Sequence, residues 1–252
     1  MKIMHSMALI AIAIAALALS VPARAAKTDS DIITAARKSY VFRNYLQGDE
    51  IKIEAKDGAV TLTGMVSEIF DKDLVQATIV DIPGVKTVDN RLELKGAAPT
   101  ANSDEWLRAK VKATLRYHRS VNTSTVEVEV KDGVATLKGI AITQAQKELT
   151  TEYAKDIEGI KDANNEMTVA NPSKKTARTA SQKIDDASIT AQIKMALLLH
   201  HSTSSISTTV STNKRVVSIG GKAKNEAEKD LVTKLVNDVN GVKSVKNQMT
   251  IE

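Results

Sequence analysis

The sequence is written three times. The stretch "KDGAVTLTG" at 56–64 returns as "KDGVATLKG" at 131–139 and, loosened, as "NKRVVSIGG" at 213–221. Gly64 and Gly139 stand 75 residues apart, and so do Gly84 and Gly159, Asn90 and Asn165, and Asp29 and Asp104. From the second copy to the third the spacing becomes 82 and holds for Gly221, Gly241, Asn247 and Asp186. Offsets that run without a gap mean one supersecondary unit repeated, here over 29–95, 104–170 and 186–252, with joining segments 96–103 and 171–185. Each copy must therefore close its own fold in a short length, with a correspondingly small core.

Superposed, the copies give three readings of every position. Each opens on an aspartate suited to capping a helix, followed by apolar residues four apart: Ile32, Ala36 and Tyr40, then Leu107, Val111 and Leu115, then Ile189, Ile193 and Leu197. That spacing predicts a helix with one buried face. Alternating segments follow ("IKIEA", "VEVEV", "TTVST"), and the alternation resumes at Val60 and Leu62, Ala135 and Leu137, and Val217 and Ile219. A second helix is predicted from Leu74, Ile79 and Ile82, from Leu149, Ala154 and Ile157, and from Leu231, Val236 and Val239. Gly84, Gly159 and Gly241 are placed to end it as left-handed caps. A last strand, "VDNRLEL", "ANNEMTV" or "VKNQMTI", closes the unit, with Asn90, Asn165 and Asn247 hydrogen-bonding backbone at its entry. The fold class is α+β: three tandem αββαβ modules, each a three-stranded mixed sheet with two helices on one face.

The repeated stretch itself is a hairpin. Asp57-Gly58 and Asp132-Gly133 suit a two-residue type I′ turn, which needs positive φ at both positions. Gly64, Gly139 and Gly221 recur just beyond it as structural glycines. The third copy has Lys214-Arg215 at the tip, a pair ill suited to that turn, so its tip is expected to differ in conformation and to present two cations.

Residues 1–25 read as a cleaved secretory signal: Lys2, an apolar run from Met7 to Leu19, and Ala23-Arg24-Ala25 as the cleavage site. The run is too short for a bilayer-spanning helix, which takes about 20 residues, and no transmembrane span is expected after it. The absence of cysteine excludes disulfides, thiolate metal sites and a catalytic thiol.

The order helix, strand, Asp-Gly turn, "VTL.G", helix, "GV..V.N.L.V" resembles the BON domain (bacterial OsmY and nodulation). Three such modules behind a signal peptide, with "LRYHRS" and "LLHHST" ending two first helices, resemble the OsmY-like periplasmic group. The resemblance covers essentially all of 29–252. It implies a periplasmic location, induction by osmotic or envelope stress, and binding to phospholipid or to other envelope proteins, without catalysis. Two features depart from the pattern: the OsmY-like group usually has paired modules, and the third copy lacks the Asp-Gly turn.

No constellation of residues supports catalysis, a cofactor or a metal. His118 and His200 share one repeat position, with Arg43 in the first copy, and a cation there would offset a helix macrodipole; His201 adds a second imidazole, and no carboxylate lies near it in sequence. Charge does break the symmetry. Basic against acidic residues number 9 and 12, 10 and 11, and 9 and 6 along the three copies, for nets of −3, −1 and +3. The second joining segment adds Lys174, Lys175, Arg178 and Lys183. With Lys214, Arg215 and the single tryptophan, Trp106, these are the candidate contacts to an anionic phospholipid surface or an envelope protein. Nucleic acid is not expected as a partner after secretion. Trp106 stands where the sibling copies have Asp31 and Ser188, open to two readings: an exposed interfacial anchor, or packing at the edge of its helix's buried face.

Overall fold

The computed structural model describes residues 28–121, 123–170, 184–203 and 206–252. The expected signal segment, residues 1–25, and Lys174, Lys175, Arg178 and Lys183 lie outside them.

The first module runs α1 (Asp29–Lys38), α2 (Tyr40–Asn44), β1 (Glu50–Lys56), β2 (Ala59–Val66), α3 (Asp71–Val80) and β3 (Thr87–Leu94). The second runs α4 (Asp104–Tyr117), β4 (Val126–Lys131), β5 (Val134–Ala141), α5 (Gln144–Lys155), β6 (Asp162–Asn165) and β7 (Thr168–Val169). The third runs α6 (Asp186–Leu199), β8 (Thr208–Asn213), β9 (Val216–Ala223), α7 (Glu226–Asn237), β10 (Ser244–Asn247) and β11 (Thr250–Ile251). In each sheet the middle strand pairs antiparallel with its hairpin mate and parallel with the last strand, which is split in two in modules two and three. The parallel pairing requires a crossover, and the second helix supplies it. The α+β repeat is as the sequence predicts.

Several details differ, each for a physical reason. Asp29, Asp104 and Asp186 do not cap their own helices; Thr28, Ser103 and Asp185 do. The three aspartates, one position inside, accept hydrogen bonds from both turn amides of their own hairpin: Asp57 and Gly58 at 2.8 and 3.0 Å, Asp132 and Gly133 at 2.7 and 2.9 Å, Lys214 and Arg215 at 2.7 and 2.8 Å. This staple corrects the expectation for the third tip. Lys214 and Arg215 adopt φ of 50° and 68°, the same left-handed pair as Asp57 and Gly58 at 52° and 83°. Two charge-assisted bonds hold a conformation that L-residues otherwise avoid by about 1–2 kcal/mol each.

The second helices end at Val80, Lys155 and Asn237, before the glycines expected to cap them. Gly84, Gly159 and Gly241 do have positive φ, in the turn that follows, and a Cβ on Gly159 would stand 2.8 Å from Leu107 Cδ2. Gly64, Gly139 and Gly221 are required by close approach: a Cβ would stand 1.9, 1.7 or 2.1 Å from the carbonyl oxygen opposite. Leu149 and Leu231 are not core residues, and Thr150 and Val232 beside them are buried instead. The first module's opening helix breaks at Ser39, leaving Tyr40 only partly buried.

The prediction of a single buried face fails for α4 and α6, because the modules pack on one another. Val111 and Leu115 enter the second module's own core, while Ala109, Ala113 and Tyr117 enter a larger core shared with modules one and three. Helix α6 is buried nearly all round and packs against α3 of module one and α4 of module two. With apolar or small uncharged residues on every side and Lys194 as its one internal cation, it satisfies the condition for a central helix.

Candidate functional site

The polar groups buried between modules are the unusual chemistry of this fold. Each second helix is followed at its C-cap by an aspartate: Asp81, Asp156 and Asp238. A carboxylate at that end opposes the helix dipole, so each needs a compensating partner. Each finds one in another module. Asp81 takes Lys194 Nζ at 2.7 Å, Asp156 takes His200 Nδ1 at 3.0 Å, and Asp238 lies 3.4 Å from His118 Nδ1.

The two histidines meet. His118 and His200, the C-cap residues of α4 and α6, are 1% and 0% exposed, and their Nε2 atoms are 2.9 Å apart. Arg119 N–H donates to the Asp238 carbonyl at 2.8 Å and His201 N–H to the Asp156 carbonyl at 2.7 Å. Ser120 and Ser202 hydroxyls donate to the Asp238 and Asp156 carboxylates. Every one of these pairs is related by the 82-residue offset, so modules two and three dock about a local pseudo-twofold axis. Tyr153 breaks the symmetry: its ring stacks on His118 with centroids 4.0 Å apart, and its hydroxyl donates to Asp238 Oδ2 at 2.7 Å.

Burial holds His118 below the ordinary histidine value, so it is not the helix-end cation expected from the sequence. Burial also works against the carboxylate of Asp238, but contacts from His118, Ser120 and Tyr153 outweigh it and hold the group below its usual range. Asp156 is low for the same balance, through His200 and Ser202. Arg43, at the corresponding position of module one, is exposed.

A second polar junction joins all three modules. Tyr45 O–H donates to Gln192 Oε1 at 3.0 Å, and Asn240 Nδ2 donates to the Arg116 carbonyl at 3.0 Å. The Arg116 guanidinium lies 4.7 Å from the Tyr45 ring centroid and pairs with the buried Asp71. Beside it, Phe70, Ala109, Ala113, Val126 and Val128 line a cleft of about 210 Å³ between modules one and two, with Lys112 tied to Glu68 at 3.0 Å.

Of the candidate contact residues, the described ones, Trp106, Lys214 and Arg215, are not brought together. Trp106 is partly buried against module one, edge to face with Phe70 at 5.6 Å, and Lys110 Nζ sits 5.1 Å from its ring centroid. Of its two readings the structure supports packing. Lys214 is exposed, but Arg215 turns inward and donates Nε–H to the Gly241 carbonyl at 2.7 Å. Asp57, Gly58, Asp132 and Gly133 are turn residues held by the staple. The asparagine column fastens strand to helix: Asn90, Asn165 and Asn247 donate to the carbonyls of Lys72, Lys147 and Lys229 at 3.0, 2.7 and 3.0 Å.

A further surface emerges only when the sheets are compared. The strands of module one carry Glu50, Glu54, Asp89 and Glu93, and those of module two carry Glu127, Glu129 and Asp162. The strands of module three carry no carboxylate. They expose Lys222 and Lys246, with Lys214 and Lys243 exposed at the adjoining turns. Among the described residues no helix is long and apolar enough to cross a membrane, and no group of His, Cys, Asp or Glu is arranged to hold a metal ion.

The BON domain model matches residues 28–96, 103–171 and 185–252. The chain is 32% identical over 148 residues to Osmotically-inducible protein Y of Escherichia coli (strain K12), covering 58% of this chain and 71% of that protein. Among solved structures it matches CdsD, a structural protein of the type III secretion system of Chlamydia trachomatis, at 16% identity and a TM-score of 0.24, covering 88% of this chain and 92% of that one. It also matches the PrgH periplasmic domain, at 8% identity and a TM-score of 0.20, covering 83% and 99%. Three matched copies, spanning nearly all the described residues, place the chain in the BON-domain family.

Proposed function

We propose that the chain is a non-catalytic, osmotically induced protein of the periplasm that binds anionic phospholipid surfaces through its third module. The observation that supports this most is the third sheet, whose strands present lysines without a single carboxylate. A surface of one sign attracts headgroups of the other, with each lysine near the membrane contributing about 1 kcal/mol. Lys174, Lys175, Arg178 and Lys183 in the preceding segment add to the same field. Osmotic induction follows from the likeness to Osmotically-inducible protein Y, and the periplasm from the sequence signal at residues 1–25. Within the repeat of 29–95, 104–170 and 186–252, the last segment carries the binding surface.

The test is cosedimentation with vesicles of phosphatidylglycerol and phosphatidylcholine. Replacing Lys174, Lys175, Arg178, Lys183, Lys222 and Lys246 by Gln lowers affinity more than tenfold, and raising the ionic strength weakens native binding. Binding that ignores both changes defeats the proposal. It would favour the second reading, a chaperone-like or protein-interaction factor, which one observation supports: Ile140, Ile142 and Val169 are 48%, 47% and 42% exposed at one end of the second sheet.

A further inference from the structure

The contact between the histidines of modules two and three sets an upper limit on the protons they hold. Asp156 receives Ser202 and His200, so His200 Nδ1 must carry the hydrogen it donates at 3.0 Å. The 2.9 Å between the two Nε2 atoms leaves room for one hydrogen, carried by either ring. His118 Nδ1 is less closely held. It is buried without a hydrogen-bond partner, 3.4 Å from an Asp238 carboxylate already engaged by Ser120, Tyr153 and, at 3.7 Å, Arg119. The docked interface thus accommodates at most one hydrogen between the two Nε2 atoms. Two imidazolium rings would put N–H against N–H at this distance, with like charges in a buried site.

We infer that the interface between the second and third modules is a proton-operated latch, docked at neutral pH and released on mild acidification. The groups facing the pair from every packed element are Asp156 and Tyr153 of the second module, Asp238 of the third, and Arg119 beside His118; His201 follows His200 in the chain. The sign follows from burial. A histidine held below its ordinary value of 6.5 in the docked state stabilises docking fully above 6.5, and that contribution is lost as the pH falls below it. Asp156 and Asp238, held below 3.8, act in the same direction only in stronger acid. Release that takes up one proton weakens docking up to tenfold per pH unit, and release that takes up two weakens it up to a hundredfold.

The chain lacks cysteine, so a labelled pair can be introduced cleanly at Glu127→Cys and Gln248→Cys, both exposed. Energy transfer in the full chain is expected to fall between pH 8 and pH 5 with a midpoint below 6.5, while far-UV circular dichroism stays constant. In His118→Asn/His200→Asn the transition disappears, whether the modules rest docked or apart. Constant transfer in the native pair, or an unchanged midpoint in the double variant, would overturn the inference.

Discussion

Replacing Asp186 by Ala removes the staple from the one hairpin whose tip has no glycine. The native carboxylate accepts from Lys214 N at 2.7 Å and Arg215 N at 2.8 Å. Hydrogen bonds to charged groups contribute about 1.5–3 kcal/mol each; at this half-exposed site the lower figure applies, for a gross loss of about 3 kcal/mol. Part is recovered, because a freed tip leaves the left-handed region and relieves about 1 kcal/mol of strain. The net loss is about 2 kcal/mol, confined to the hairpin. Native-state amide exchange across β8 and β9 should therefore accelerate about thirtyfold, since 1.4 kcal/mol is a factor of ten in the opening equilibrium. Asp186→Asn keeps one acceptor oxygen and should lose about half as much. Protection that changes less than threefold in the alanine variant, or that falls equally across β4 and β5, would refute the idea that Asp186 sets the conformation of this turn.

Two further outcomes follow from buried contacts. Arg116→Met strands Asp71 in the interface between modules one and two, at a cost of about 3–5 kcal/mol at pH 7 by urea unfolding. Burial already raises Asp71 above the usual carboxylate value and Arg116 opposes it, so the folded variant binds a proton more readily than the unfolded chain; part of the loss returns on lowering the pH toward 5, and a loss independent of pH contradicts this. Gly159→Ala forces a Cβ to 2.8 Å from Leu107 Cδ2 at a φ of 95°, and should lower stability by about 1–3 kcal/mol, measured as a drop in urea midpoint.

The parts of the fold legible in the sequence are those that each copy repeats for its own sake. The hairpin, the two helices, the last strand and the asparagine clamp come from local periodicity and turn chemistry, and three copies agree on them. Contacts between copies do not repeat in the same way, and there the single-copy reading falls short. Ala109, Ala113 and Tyr117 lie off the face expected to be buried because that face serves only module two. A signal was present in α6, where apart from Asp186, Gln192 and Lys194 the residues are apolar or small on every side, as in a surface helix they are not. Another was present in Asp81, Asp156 and Asp238, which recur at the dipole-disfavoured end of a helix. A column that breaks a local rule three times points to a partner elsewhere in the structure. The third hairpin shows the converse: Lys214-Arg215 breaks turn chemistry, and the compensation sits 28 residues upstream in Asp186, beyond the reach of a local pattern.

The central claim is that the three copies form one body around α6 and are not beads on a string. Small-angle X-ray scattering of residues 28–252 at neutral pH tests this directly. A compact body of about 225 residues has a radius of gyration of about 17 Å, and the account predicts a value within a few ångströms of it once the joining segment is allowed for. A radius of about 25 Å or more, with the pair-distance distribution of separated modules, would contradict it.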